Sequence, residues 1–212
     1  MISISVVIPT IGRPTLIRTL DAIASQVTEA DEVIVVADAN RPIGETFHAA
    51  QDRYRYPSWQ WRSLAFVDSF KGIYQSNSGF TLTSGDLILS HSDDDIFVAG
   101  AFARMRELAE SAPDCPVLFR TRSPRGRMSW DIGDRRLVRN RAGGGSIAVP
   151  RRWLVPYRYT LKGSVDYNWI TEIVDTAAKA GYPAVWTDDV LMISRPKGDD
   201  NAKSVTQTAV DA

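Results

Sequence analysis

Three consecutive carboxylates, Asp93-Asp94-Asp95, stand just after the apolar run Asp86-Leu87-Ile88-Leu89-Ser90. Adjacent carboxylates repel one another unless a cation is close. Hard divalent ions, Mg²⁺ or Mn²⁺, take carboxylate oxygen and often share their shell with substrate phosphates. One aspartate would serve as a cap for a helix starting near Val98. Three after a buried strand favour a metal.

Two further polar clusters follow strand patterns: Pro9-Thr10-Ile11-Gly12-Arg13 and Asp38-Ala39-Asn40. In open parallel sheets, ligands bind beyond the carboxyl ends of the strands. No G-x-G-x-x-G follows the first strand and no P-loop pattern occurs, so both of those nucleotide fingerprints are missing. His91 reads as a core histidine, and His48 carries no assigned role. The single cysteine, Cys115, cannot form an internal disulfide and reads as a small buried hydrophobe, which fits a reducing cytosol. From Arg120 to Arg152 there are ten arginines against Asp131 and Asp134. Such a stretch either faces an anionic ligand, with Arg136 and Arg139 as candidate contacts, or is a solvated surface.

The elements that position these residues alternate in the first half. Strands are expected over Ile2–Ile8, Glu32–Ala37, within Trp59–Val67 and over Asp86–Ser90. Helices are expected from Pro14, after Pro42 to about Tyr54, from Gly72 to about Thr83 and over Val98–Ala112. Leu16, Ile17, Leu20, Ile23, Ala24 and Val27 have helical spacing, and the second strand is continuously apolar, as a buried parallel strand should be. This β-α-β order predicts a parallel sheet with helices on both faces. In the second half, Pro116–Arg120 and Met128–Val149 read as short strands with turns. A helix over Val165–Ala180 follows, then strands near Ala184–Trp186 and Val190–Ile193.

In this order and spacing the chain resembles the family 2 glycosyltransferases with the A-type nucleotide-sugar-binding fold. The resemblance rests on Ser5-Val6-Val7-Ile8-Pro9-Thr10, Leu16–Gln26, Val33–Asp38, Asn77-Ser78-Gly79, Gly85-Asp86-Leu87-Ile88-Leu89 and Asp93-Asp94-Asp95. Gly143-Gly144-Gly145-Ser146 and Gly163–Gly181 match more weakly. It implies a donor pocket in which Thr10 and Asp38 hold base and ribose, with Pro9, Arg13 and Asn77 nearby. Asp93 would touch ribose or sugar, and Asp94 and Asp95 would hold Mn²⁺ or Mg²⁺. Similar enzymes carry an acid at a helix start where this chain has Asp166, which shares helical spacing with Trp169, Ile170 and Ile173. Asp166 is therefore the expected general base, taking the acceptor hydroxyl proton as that oxygen attacks the anomeric carbon. The histidine that many relatives carry near the end of the domain is replaced here by Ile193-Ser194-Arg195-Pro196-Lys197, where Arg195 could serve the diphosphate. Trp130, Trp153 and Trp169 either stack on a sugar or fill the core.

The remaining features set bounds. The chain has 212 residues, is 44 % hydrophobic and 24 % charged, and carries 25 Lys+Arg against 25 Asp+Glu. That balance argues against disorder and against a surface that clings wholly to nucleic acid. No apolar run reaches the length of a membrane span, and the N-terminus does not read as a signal peptide, so a cytoplasmic location is expected. The expected fold is a single α/β domain over 1–196, with a mostly parallel sheet flanked by helices. Residues 1–112 form the nucleotide-sugar-binding half, 113–196 a smaller mixed-strand acceptor half, and 197–212 a polar, flexible tail. The expected activity is metal-dependent, inverting transfer of a hexose-type sugar from a nucleotide diphosphate sugar, UDP-linked, to an unidentified hydroxyl. An anionic acceptor fits the arginines, with nucleic acid among the open classes. The alternatives are a catalytically inactive nucleotide-sugar-binding module and a nucleotidyltransferase on a similar sheet.

Overall fold

Strand β1 (Ile4–Thr10) alternates its side chains between two cores. Ile4, Val6 and Ile8 pack with Leu16, Leu20, Phe102 and Met105 on one face of the sheet. Val7 packs with Ile34, Val36, Phe80 and Ile173 on the other. The computed structural model describes residues 1–39, 45–65, 72–139, 141, 143–158 and 164–195. The helix start after Pro42, the end of the third strand at Val67, Asn40, Gly163 and the 197–212 tail lie outside these residues.

Four strands, β1, β2 (Glu32–Asp38), β3 (Trp59–Leu64) and β4 (Leu87–Ser90), pair in parallel in the order β3-β2-β1-β4. Helices α1 (Thr15–Ala24), α2 (Glu45–Arg53) and α3 (Ile73–Phe80) connect them. Pro14 occupies the position before the first turn of α1, where its fixed φ is compatible with a helix. Helix α3 lies hard against β1: a β-carbon on Gly79 would sit 2.3 Å from Val7 Cγ1. This close approach explains the glycine of the Asn77-Ser78-Gly79 motif. At the entry to β1, fully buried Asp31 accepts the Ile4 and Thr28 amides at 2.7 Å each and pairs with Arg106.

The second half joins the same eight-stranded sheet, adding beyond β4, in order, β7 (Ile147–Pro150), β6 (Val117–Arg122), β8 (Val185–Ser194) and β5 (Asp95–Phe97). The expected α/β architecture is therefore observed, with three differences. The aspartate string does not remain a loop: Asp95 opens the short strand β5 (Asp95–Phe97), which pairs with β8 (Val185–Ser194). Helix α4 (Ala101–Ser111) consequently starts three residues later than Val98, after Gly100 turns the chain at φ +79. Among its described residues, the span Met128–Val149 contributes to the sheet only the start of β7 (Ile147–Pro150) and one isolated bridge from Met128 to Arg122 in β6 (Val117–Arg122). The two short strands expected near residues 184–193 are the single strand β8, which shifts register against β6. Helix α5 (Val165–Lys179) has Ser164 as its cap, accepting from the Tyr167 amide. No helix among the described residues is long and apolar enough to cross a membrane.

Candidate active site

Beyond the carboxyl ends of β1 and β4 lies a cleft of about 630 Å³. Asp94 and Asp95 approach it from the end of β4, Asp166 from the first turn of α5, Gly144 from the turn before β7, and Arg195 from the end of β8. Two acids 72 positions apart in the sequence, Asp94 and Asp166, thus share one cavity. Pro9 also lines it.

The aspartate string is held by arginines. Arg13 Nη1 lies 3.1 Å from Asp93 Oδ1 and 3.0 Å from Asp94 Oδ2. Asp93 also accepts the Thr10 hydroxyl at 2.7 Å, which ties the end of β1 to the end of β4. Burial is the main influence on Asp93 and raises its pKa. Asp94 accepts from the Ser92 hydroxyl at 2.6 Å and pairs with Arg195, whose Nε lies 3.1 Å from Asp94 Oδ2. Asp95 accepts the Arg195 amide at 3.0 Å, and burial pushes its pKa up to about 7. Arg195 has φ +44, the left-handed region, so it is one of the strained non-glycine positions.

These acids fit a divalent cation that is shared with a ligand. Mg²⁺-type sites commonly use one or two carboxylates and complete their shell with phosphate and water. Asp94 and Asp95 both face the cleft, and the Arg195 side chain paired with Asp94 is 70 % exposed. No set of three His, Cys, Asp or Glu able to hold an ion is present among the described residues. The protein therefore offers a partial shell that phosphate oxygens would complete.

The other expected contacts divide. Asp38 is buried at the end of β2. Thr10, Arg13 and Asp93 are engaged with one another and do not line the cleft. Asn77, expected among the donor contacts, has a different job: its amide donates to the Tyr157 carbonyl at 3.0 Å and accepts the Tyr157 amide at 2.7 Å. Arg136 and Arg139 are exposed and lie outside the cleft lining, which instead includes Arg141. Arg120 is buried, with Nε donating to the Trp130 carbonyl at 3.2 Å, so the arginine-rich stretch is not one surface. Trp130 and Trp169 are core residues. His91 is buried, stacks on Phe97 with centroids 4.1 Å apart, and is held neutral because burial lowers its pKa to about 4. Cys115 is half-buried, with burial raising its pKa.

Tyr157 was not legible as a site residue in the sequence. It is buried, lines the cleft, and shares a side-chain hydrogen bond with Ser90. A β-carbon on Gly144 would lie 2.2 Å from its hydroxyl and 3.2 Å from Asp166 Oδ1. The triple glycine at 143–145 was the one signal that a close approach occurs here.

A largely parallel sheet whose strand ends carry an acid string, with a second acid on a later helix, is the architecture of the A-type glycosyltransferase fold. The chain belongs to Glycosyl transferase family 2, whose family model it matches over residues 5–178. Membership sets aside the nucleotidyltransferase alternative. Among solved structures it is similar to S. aureus TarS 1-349 in complex with UDP, at 14 % identity and TM-score 0.73, covering 91 % of this chain and 60 % of that one. The same protein in complex with UDP-GlcNAc matches at 12 % identity and TM-score 0.70, covering 92 % and 58 %. The mannosyltransferase PcManGT from Pyrobaculum calidifontis, in complex with GDP-Man and Mn2+, matches at 18 % identity and TM-score 0.66, covering 94 % and 59 %. The chain thus spans less than two thirds of these structures. No curated protein matches the sequence significantly.

Proposed function

We propose that this protein transfers a sugar from a nucleotide diphosphate sugar, UDP-linked, to an acceptor hydroxyl with inversion at the anomeric carbon. The observation that carries this is the meeting of Asp94 and Asp166 in one cleft. Asp166 acts as general base on the acceptor hydroxyl, and a single displacement follows from its attack. Asp94 and Asp95 hold a divalent cation, Mn²⁺ or Mg²⁺, which when bound supplies positive charge to the leaving diphosphate. Arg13 keeps the string in place, and Arg195, paired with Asp94, turns to the diphosphate when the donor binds. Thr10 and Asp38 support the base and ribose side from outside the cleft lining, Thr10 by holding Asp93. Residues 1–112 provide the donor half and 113–196 the acceptor half. The UDP, UDP-GlcNAc and GDP-Man complexes of structurally similar proteins support the donor class.

A panel of UDP- and GDP-sugars with Mn²⁺, read by release of nucleotide diphosphate, tests the reading. Turnover that falls at least about 100-fold in Asp166→Asn while donor binding persists is the expected result. One observation favours a second reading: two arginines already neutralise Asp94. A binding module without turnover would bind these donors and release nothing.

A further inference from the structure

We propose that Tyr157 is a positioning residue for Asp166, held in place by Asn77. The inference rests on the general-base reading of Asp166. Its observations are separate from those that support that reading.

Tyr157 is fixed from three sides. Asn77 takes both its backbone groups, at 2.7 and 3.0 Å, across 80 residues of sequence. Its ring belongs to a cluster of three stacked rings with Phe80, at 5.7 Å, and Trp169, at 4.5 Å, which also stack on each other. Ser90, the last residue of β4, holds the hydroxyl. A phenol fixed at backbone, ring and hydroxyl has no rotamer freedom left. Asp166 sits one turn before Trp169 on α5, so the ring that stacks on Tyr157 belongs to the helix that carries the acid.

The fixed hydroxyl and the carboxylate converge on Gly144, which leaves them the room a β-carbon would occupy. Burial, and next the charge of Asp166, keep the phenol protonated. A protonated hydroxyl beside a carboxylate is a donor and cannot compete as a base. With Ser90 engaged on the phenolic oxygen, the hydroxyl keeps its own proton, and the charge it faces across Gly144 is that of Asp166. The base is thereby offered one preferred orientation, with its remaining lone pairs toward the cleft. Asn77 thus contributes to transfer indirectly, through the ring it anchors.

Tyr157→Phe removes the hydroxyl and keeps the stacked ring. Nucleotide release from UDP-GlcNAc or GDP-mannose with water as acceptor is measured for this variant, for Asp166→Asn and for the double variant. The expected result is a kcat about tenfold lower in Tyr157→Phe, with donor KM within twofold of the parent. In the Asp166→Asn background the same change should have no further effect, because its route of action is gone. A merely structural role would give additive losses. If Tyr157→Phe does not fold, Gly144→Ala reports instead, since its methyl displaces the hydroxyl, and it should show the same kcat loss and the same non-additivity. Parental kcat in the Phe variant, a loss confined to KM, or additive losses overturn the positioning role while leaving the base intact. Parental turnover in Asp166→Asn, or no turnover by the parent on either donor, overturns the functional reading, and this one with it.

Discussion

The guanidinium of Arg195 lies 3.1 Å from the carboxylate of Asp94, which is 9 % exposed beside an arginine side chain 70 % exposed. If Asp94 holds a cation as proposed, arginine and metal compete for one carboxylate. Arg195→Ala should tighten Mn²⁺ binding to the nucleotide-free protein by about 1.4- to fivefold, the ~0.2–1 kcal/mol of an exposed ion pair. It should also weaken UDP binding measured without metal. Calorimetry of each ligand alone reads both effects, and a Mn²⁺ affinity that does not rise contradicts the competition.

Asp94 is the acid of the string on which Arg13, Arg195 and Ser92 converge. Asp94→Asn keeps its shape and removes its charge. Mn²⁺-dependent enhancement of UDP binding should disappear, while the fold persists because Asp93 still ties Arg13 to Thr10. Calorimetry with and without Mn²⁺ checks this, and an undiminished enhancement would show that the metal, if bound, sits elsewhere.

The parallel half was readable because its signals are local: continuous apolar strands, helical stripes and polar residues at strand ends. Val33–Asp38 and Leu16–Ile23 needed no partner to declare themselves. Strand β5 was hidden because three residues opening with a charged one, Asp95-Ile96-Phe97, carry no period, and their identity as a strand depends on pairing with Ser194, Ile193 and Met192. Asn77 illustrates the same limit at the site. Its motif pointed to the donor pocket, yet its partner is the main chain of a residue 80 positions later. Tyr157 escaped for that reason too, since a tyrosine in a loop has no periodic signature.

Two buried groups give opposing pH slopes. Folded Asp95 keeps its proton to about pH 7, against 3.8 for the ordinary carboxyl. Its stabilising effect is complete below the lower value and lost as pH rises through the higher one. Folded His91 stays neutral down to about pH 4, against 6.5 ordinarily. Its effect is complete above pH 6.5 and lost as pH falls through 4. Asp95→Asn removes the first slope, so its unfolding free energy should rise more steeply than the parent's from pH 4 to 6.5. Urea unfolding across that range decides, and parallel curves would contradict the buried-acid assignment.

Asp31 offers a stability test away from the cleft. Its side chain is 0 % exposed and paired with Arg106, itself 11 % exposed. Asp31→Ala leaves that guanidinium without its partner and the Ile4 and Thr28 amides without acceptors. Breaking such a buried pair costs about 3–5 kcal/mol. Asp31→Asn retains one acceptor oxygen and should cost less. Denaturant unfolding reads both, and an alanine cost below about 1 kcal/mol would contradict the role.

The arginine-rich stretch separates into residues that reach the cleft and residues that do not. Arg141 lines the cleft with a side chain 47 % exposed, and its Asp131 neighbour stands 3.9 Å away, a loose pair at best. Arg136 is 78 % exposed, 3.7 Å from Asp134, and outside the cleft. An anionic acceptor entering the cleft would meet Arg141. Arg141→Ala should therefore raise the KM of a phosphate-bearing acceptor about three- to tenfold and flatten its dependence on salt, because a partly exposed charge acts through a screened field. Arg136→Ala with Arg139→Ala should leave both quantities near parental values, since a solvated guanidinium away from the ligand contributes little. Inorganic pyrophosphate, competing against the acceptor, gives the same comparison without commitment to a particular glycan or lipid. If the Arg136 and Arg139 pair moves the acceptor KM and Arg141 does not, the acceptor approaches over the outer surface of the 129–141 segment, and the cleft carries the donor alone.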